Sequence, residues 1–208
     1  MTAPVAMTYD SLAADISSYL ERTDQATVEK IPTFIMLAEQ EIATQVKTLW
    51  QLNVVKTTLV PGTSGSVLEK PVRWRKTVSM KVDGQPIQHR SQDYTAQYAA
   101  DSDQGVPLYY SEYDYNHWAF APIPDAAYDV EIIYYERIQP LDEENQQNLI
   151  TREAPQAILF GTLLQAQGYL KNQEKLSVWK QYYDTSMAAL KGENAARNID
   201  RNTTIQEP

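Results

Sequence analysis

A chain of 208 residues with 43% hydrophobic and 22% charged residues has the length for one sizeable domain or two small ones, and the composition of a soluble globular protein. Its net charge of −9 argues against gripping nucleic acid through phosphate neutralisation, and no apolar run approaches the roughly 18–20 residues that cross a bilayer. The absence of cysteine excludes disulfides, thiolate metal sites and cysteine nucleophiles together, and "MTAPVAMTYD" lacks the basic and apolar regions of a secretory signal.

The first helix is predicted from Tyr9 to about Arg22. Thr8 can cap it, Asp10 suits its positive end, and Leu12, Ile16, Tyr19 and Leu20 form one apolar stripe. A second helix follows "TDQATVEKIP", with Pro32 in its first turn and Ile35, Ala38, Ile42 and Leu49 at helical spacing. From Leu52 to Leu141 the period shortens to that of strands. "LNVVKTTLV" stops at Pro61-Gly62, Asp83-Gly84 is a two-residue hairpin signal, and "VEIIYYERI" has the β-branched and aromatic content of a buried strand. "YYSEYDYNHWAFAPIP" (109–124) reads as two strands around a turn near Asp114–His117, with Trp118 and Phe120 sharing a face. Nine of the fourteen tyrosines lie between Tyr94 and Tyr135, enough to fill a small β core that has few leucines. A third helix starts around Pro155 with Leu159, Leu163, Ala166 and Leu170 on one side. After a break at Lys171-Asn172, a fourth points Leu176, Trp179, Tyr183, Met187 and Leu190 inward and ends at Gly192.

These stripes predict an α+β protein. An antiparallel four-helix bundle is built from 1–50 and 142–192 as one discontinuous domain. An antiparallel β-sandwich or small barrel (51–141) is inserted into it, and 193–208 is a flexible C-terminal tail.

Chemistry is sparse. The two histidines, His89 and His117, cannot make an H-E-x-x-H site, and neither a G-x-S-x-G elbow nor a G-x-x-x-x-G-K-[ST] phosphate loop is present. "GTSGS" (62–66) reads as a hairpin connection. His117 reads as a turn residue, and Asp142, Glu143 and Glu144 as solvated loop carboxylates. "DSDQGVPLYYSE" places Asp101, Asp103 and Glu112 at the first, third and twelfth positions of a calcium loop. Val106 occupies the position that needs glycine, so an acidic surface loop is the better reading. No catalytic residue, cofactor site or metal site is assigned. A sugar-stacking platform on the tyrosine-rich strands stays open as an alternative. Charge is uneven: residues 51–100 carry seven Lys/Arg against three Asp/Glu, whereas 101–150 carry one against eleven. The two blocks are either complementary surfaces of neighbouring copies or two solvated faces of a sheet.

Three stretches resemble the head-to-tail adaptor proteins of tailed bacteriophages, related in role to tail tubular protein A. They are "MTYDSLAADISSYLERTDQATVEKIPTFIMLAEQEIATQVKTL" (7–49), "FAPIPDAAYDVEIIYYERIQPLDEENQQNLI" (120–150) and "APQAILFGTLLQAQGYLKNQEKLSVWKQYYDTSMAALKG" (154–192). The shared landmarks are structural: the "IP..I.LAE" helix, the P-x-P-D turn, and the "FG.LL.A..YL", Trp and Tyr positions. Members often have Asn-Trp-Leu where this chain has Asn148-Leu149-Ile150, and 51–119 match only loosely. The resemblance implies a virion protein, assembled in the host cytoplasm, that forms a ring of twelve copies under the portal protein. Such a ring joins capsid to tail, offers a platform to a downstream tail or nozzle protein, and passes genome DNA without binding it specifically or involving a membrane. It also implies a C-terminal segment that docks on the portal, here Arg197, Ile199, Arg201 and Ile205. The acidic residues Asp101, Asp103 and Asp114 are expected at the channel or the ring seam. A different neck or tail component, such as a head-completion or tail-terminator protein, is the nearest alternative.

Overall fold

The structure, a computed structural model, describes residues 6–22, 24–46, 51–61, 66–170 and 175–202, without the side chains of 198–202. It is a mixed α+β protein of two compact units, Met1–Gln51 with Ile138–Pro208, and Leu52–Arg137. In chain order, the helices α1 (Tyr9–Leu20), α2 (Gln25–Val28) and α3 (Ile31–Gln45) come first. The second unit holds strands β1 (Leu52–Leu59), β2 (Val67–Glu69), β3 (Trp74–Val82), β4 (Gln85–Pro86) and β5 (Gln88–His89). Helix α4 (Gln92–Asp101) follows, then β6 (Tyr109–Glu112), β7 (His117–Ala121) and β8 (Tyr128–Glu136). Helices α5 (Leu149–Glu153), α6 (Pro155–Leu170) and α7 (Leu176–Asn202) complete the chain.

The helix starts follow their local chemistry. Thr8 and Ser11 form a reciprocal capping box at α1: Ser11 N donates to Thr8 Oγ1 at 3.1 Å and Thr8 N to Ser11 Oγ at 2.8 Å. The helix stops at Leu20, before the expected Arg22, because Glu21 turns left-handed at φ 53°. Pro32 opens α3, which ends at Gln45, so the continuation toward Leu49 lies outside the described residues. α6 packs against α1, α3, α5 and α7. Neighbours on several sides explain why its buried residues spread around it. Ala157, Ile158, Gly161, Thr162, Leu163, Ala166 and Gln167 are all buried, while Leu159 and Leu170, expected inside, are half-buried. At Gly161 a Cβ would lie 3.1 Å from the Tyr183 ring and 3.4 Å from Ala38 Cβ, so this glycine lets α6 approach α3 and α7.

Two expectations fail at the C-terminal end. α7 does not stop at Gly192, and 193–202, expected as the start of a flexible tail, is helical. Glu193, Ala195, Ala196 and Arg197 are good helix formers, and the Glu193–Arg197 pair at 2.6 Å adds i,i+4 support. Together they outweigh the roughly 1 kcal/mol cost of an interior glycine. The break at Lys171-Asn172 lies outside the described residues.

The second unit is not a closed barrel. Its strands form two four-stranded sheets, β1-β8-β3-β4 and β2-β7-β6-β5. Leu52 pairs with Tyr135, so the unit begins and ends on adjacent strands, the geometry an insertion requires. Asp83 and Gly84 both have positive φ, 47° and 78°, and close the β3–β4 turn as the Asp-Gly signal predicts. One core cluster joins the sheets: Leu59, Met80, Val82, Val130, Ile132 and Tyr134 from the first, Tyr110, Trp118 and Phe120 from the second. The all-antiparallel expectation breaks at β5, which pairs with β6 in parallel. It breaks again at α4, where Ser91 accepts from Tyr94 N and an alanine-rich run sustains a helix.

Candidate functional site

The stretch 109–121 folds as an antiparallel hairpin, with Tyr110 opposite Phe120 and Glu112 opposite Trp118. Trp118 and Phe120 are fully buried, and Tyr110 nearly so. α4 covers the other side of this sheet, with Tyr94, Tyr98 and Tyr109 packed ring on ring and Arg90 above Tyr94 and Tyr109 at 5.7 and 5.5 Å. Helix cover on this sheet face explains why Ser111 is also buried. It also accounts for three of the tyrosines as packing rather than as an open sugar platform.

The hairpin tip, Tyr113–Asn116, is held from below by one lysine. Lys70 is buried, and its ammonium lies 4.2 Å from the Trp74 ring centroid and 5.7 Å from that of Trp118. The same ammonium pairs with Glu112 and donates to the carbonyls of Asp114 (3.0 Å) and Tyr115 (3.3 Å). The Lys70 N–H donates to Asn116 O at 2.7 Å, and Gln92 Nε2 to Tyr113 O at 3.4 Å. All four tip carbonyls therefore have donors, which satisfies the polar backbone and fixes its shape. Asp114 accepts from Asn116 N at 2.7 Å and lies 2.9 Å from His117 Nδ1, and the His117 contact leads in holding its carboxyl below the usual range. His117, expected in the turn, is instead the first residue of β7, next to the tip. Tyr113 and Tyr115 project outward, 52% and 73% exposed, with Arg137 Nη2 donating to the Tyr115 hydroxyl at 3.0 Å.

The basic and acidic blocks meet across the strands of this unit. Glu131 on β8 is 3.1 Å from Lys81 on β3 and 3.4 Å from Lys56 on β1, and these lysines lower its carboxyl pKa. Arg73 pairs with Glu136 at 2.8 Å. The charge separation along the sequence is therefore partly a pattern of cross-strand neighbours within one copy. Around Lys56, Lys81, Asp129 and Glu131 lies a shallow depression of about 390 Å³ whose floor is this neutralised cluster. It has no nucleophile–base pair, and no group of three or more metal-ligating side chains occurs among the described residues.

Of the sequence-derived acids, Asp114 is in the tip. Asp101 and Asp103 are exposed at the far end of α4, whose N-terminal Gln92 is the residue that reaches the tip. Arg197 is on the exposed side of α7, paired with Glu193. Ile199 and Arg201 fall on the last turns of that helix, where side chains are not described, and Ile205 lies outside the described residues.

One polar site in the helical unit was not foreseen. Glu39 on α3 is buried, and its oxygens accept from Leu141 N at 3.2 and 3.3 Å and from Asn148 Nδ2. Burial raises its pKa to about 7 against the lowering effect of those donors, with Asp142 adding a smaller push upward. Asn148 also caps α5 through Oδ1, so one carboxyl and one amide clip residues 139–151 to α3.

A profile of the SU10 adaptor protein family matches residues 7–206, nearly the whole chain. The chain belongs to that family. Its members are phage head-to-tail adaptors, so the protein is a structural virion component that associates with other phage head and tail proteins. No curated protein matches the chain. No helix among the described residues is long and apolar enough to cross a membrane.

Proposed function

We propose that the protein assembles as a ring of twelve copies beneath the portal, joining capsid to tail and leaving a channel for the genome. The observation that carries this reading is the family match over residues 7–206. The helices of the first unit, read as a four-helix bundle, serve as the rigid body, and the paired sheets, read as a sandwich, serve as the inserted contact module. The end of α7, with Arg197, Ile199 and Arg201 on its last turns, continues toward Ile205 and meets the portal. It offers basic and apolar groups at helical spacing. Asp101, Asp103 and Asp114 contribute to the channel wall or the ring seam. Net negative charge there lets DNA slide, since phosphates find no cations to neutralise them. A downstream tail or nozzle protein binds the opposite side of the ring, and assembly takes place in the host cytoplasm.

The experiment is electron microscopy of the full chain mixed with its portal protein. A ring bound coaxially to the portal is expected. Removal of residues 193–208 is expected to abolish portal docking while the helical signal of the remainder persists. A chain that stays unbound at micromolar concentrations would falsify the reading.

A further inference from the structure

The first sheet of the β unit has two different faces. Met80, Val130, Ile132 and Tyr134 point into the core shared with Trp118 and Phe120. Strand alternation and the register Val54↔Ile133, Lys56↔Glu131 and Lys81↔Glu131 send those residues to the opposite side. Val54 is 51% exposed there and Val78, at a bulge in β3, 39%. Three lysines, Lys56, Lys76 and Lys81, border these apolar residues, against Glu131 and Asp129. The result is an open apolar strip whose rim carries one more lysine than carboxylates, with no covering element among the described residues of the unit.

The hairpin tip has the complementary character. Its backbone is fixed through its four satisfied carbonyls, so Tyr113 and Tyr115 are presented at little further cost in entropy. Its exposed charge is the Asp114 carboxylate. The tip belongs to the second sheet, on the inner side of the first, so it cannot reach the outer face of its own copy. We infer that a second copy of this chain receives Tyr113 and Tyr115 on its outer β1-β8-β3 face, between Val54 and Val78, with Asp114 facing Lys56 and Lys76. The inference rests on the ring reading above and assigns the surfaces of its repeating contact. Tip and face are different patches, so the contact is heterologous, as closure of a ring requires. Two tyrosines bury roughly 300–500 Å², below the roughly 1,200 Å² of a stable pair. Free copies therefore stay apart, and the contact forms where many copies are held side by side.

The test places benzoylphenylalanine at Tyr115 of the full chain, supplies that chain to assembling particles, irradiates purified particles and maps the cross-linked peptides. Cross-links to residues 52–58, 76–81 or 131–135 of another copy are expected. In parallel, the surface variants Tyr113→Ser/Tyr115→Ser and Val54→Asp are each expected to reduce incorporation into particles at least tenfold while keeping the wild-type far-ultraviolet spectrum and melting temperature. Particles that contain the chain but give cross-links elsewhere, to another protein, or not at all overturn the inference and leave the ring reading intact. Particles that lack the chain altogether overturn both.

Discussion

The two units solve the problem of holding a fold by different means. The helical unit buries a broad apolar core, from Leu12 and Ile16 through Ile35, Ile150 and Ile158 to Trp179 and Met187, and admits few charges, of which Glu39 is one. The β unit has a core of nine buried residues and supplements it with ionic ties: Lys70 to Glu112, Arg73 to Glu136, and Glu131 between two lysines. Short sheets present little apolar area to each other, so cross-strand charges and a buried cation supply part of the specificity that extra leucines supply among the helices. The difference teaches where each unit is fragile. The helical unit is sensitive to lost volume, and the β unit to lost polar partners as well.

The sharpest way to break this comparison is to remove one large side chain from each core. Trp118→Ala and Ile158→Ala are each expected to cost about 3–5 kcal/mol, since both residues are fully buried. The two core clusters share no residue, so on heating Trp118→Ala should lose the Trp74 and β-unit tyrosine share of the near-ultraviolet aromatic dichroism before the 222 nm helical signal falls, while the share of Trp179 and Tyr183 persists with the helices. Ile158→Ala should reverse that order. Coincident loss of both signals in both variants would mean that the units melt as one.

Lys70→Ala comes next in size. It leaves the carbonyls of Asp114 and Tyr115 without their donor and removes the cation from between Trp74 and Trp118. Glu112 is about half exposed and regains water, so the ion pair itself is discounted. The sum is about 2–3 kcal/mol. Lys70→Met, which keeps the stem beneath the tryptophans, should recover less than half of that. Full recovery by methionine, measured by denaturant titration, would show that packing rather than donated hydrogen bonds holds the tip.

Much of the frame was legible in the sequence because local signals agreed with the tertiary answer. Thr8 caps α1, Pro32 and Pro155 lie in the first turns of α3 and α6 where a missing N–H costs little, and Asp83-Gly84 closes a hairpin. The misses have physical reasons. α4 hid behind its tyrosines, although Ser91 ahead of "QDYTAQYAAD" is a cap followed by good helix formers. α7 ran past Gly192 because a glycine's local preference loses to the alanines and the ion pair beyond it. Lys70 and Glu39 had no signal at all. A single charged residue among apolar ones looks solvated until the fold brings Glu112 from 42 positions away, or Leu141 from 102. The candidate site was half visible on the same account: the aromatic hairpin stood out, while the lysine that fixes its tip did not.

Glu39 gives the smallest and most specific effect, and one that depends on pH. The unfolded chain releases this proton near pH 4.5, whereas the folded protein keeps it until about pH 7 because burial disfavours the charged form. Between those values the native state binds more protons than the unfolded state, so unfolding free energy falls as pH rises and levels off above about 7. The full span corresponds to at most about 3 kcal/mol. The donors Leu141 N and Asn148 Nδ2, which favour the carboxylate, are already counted in that value. Glu39→Gln fixes the neutral form and still offers an oxygen to Leu141 N. It is expected to match wild type near pH 5 and to exceed it by about 1–2 kcal/mol at pH 8. Glu39→Ala, with no acceptor for either donor, should be less stable than Glu39→Gln at every pH. Denaturant midpoints across pH 4.5–8 decide the matter: parallel curves for wild type and Glu39→Gln would show that the proton on this carboxyl does not contribute to the pH dependence of stability.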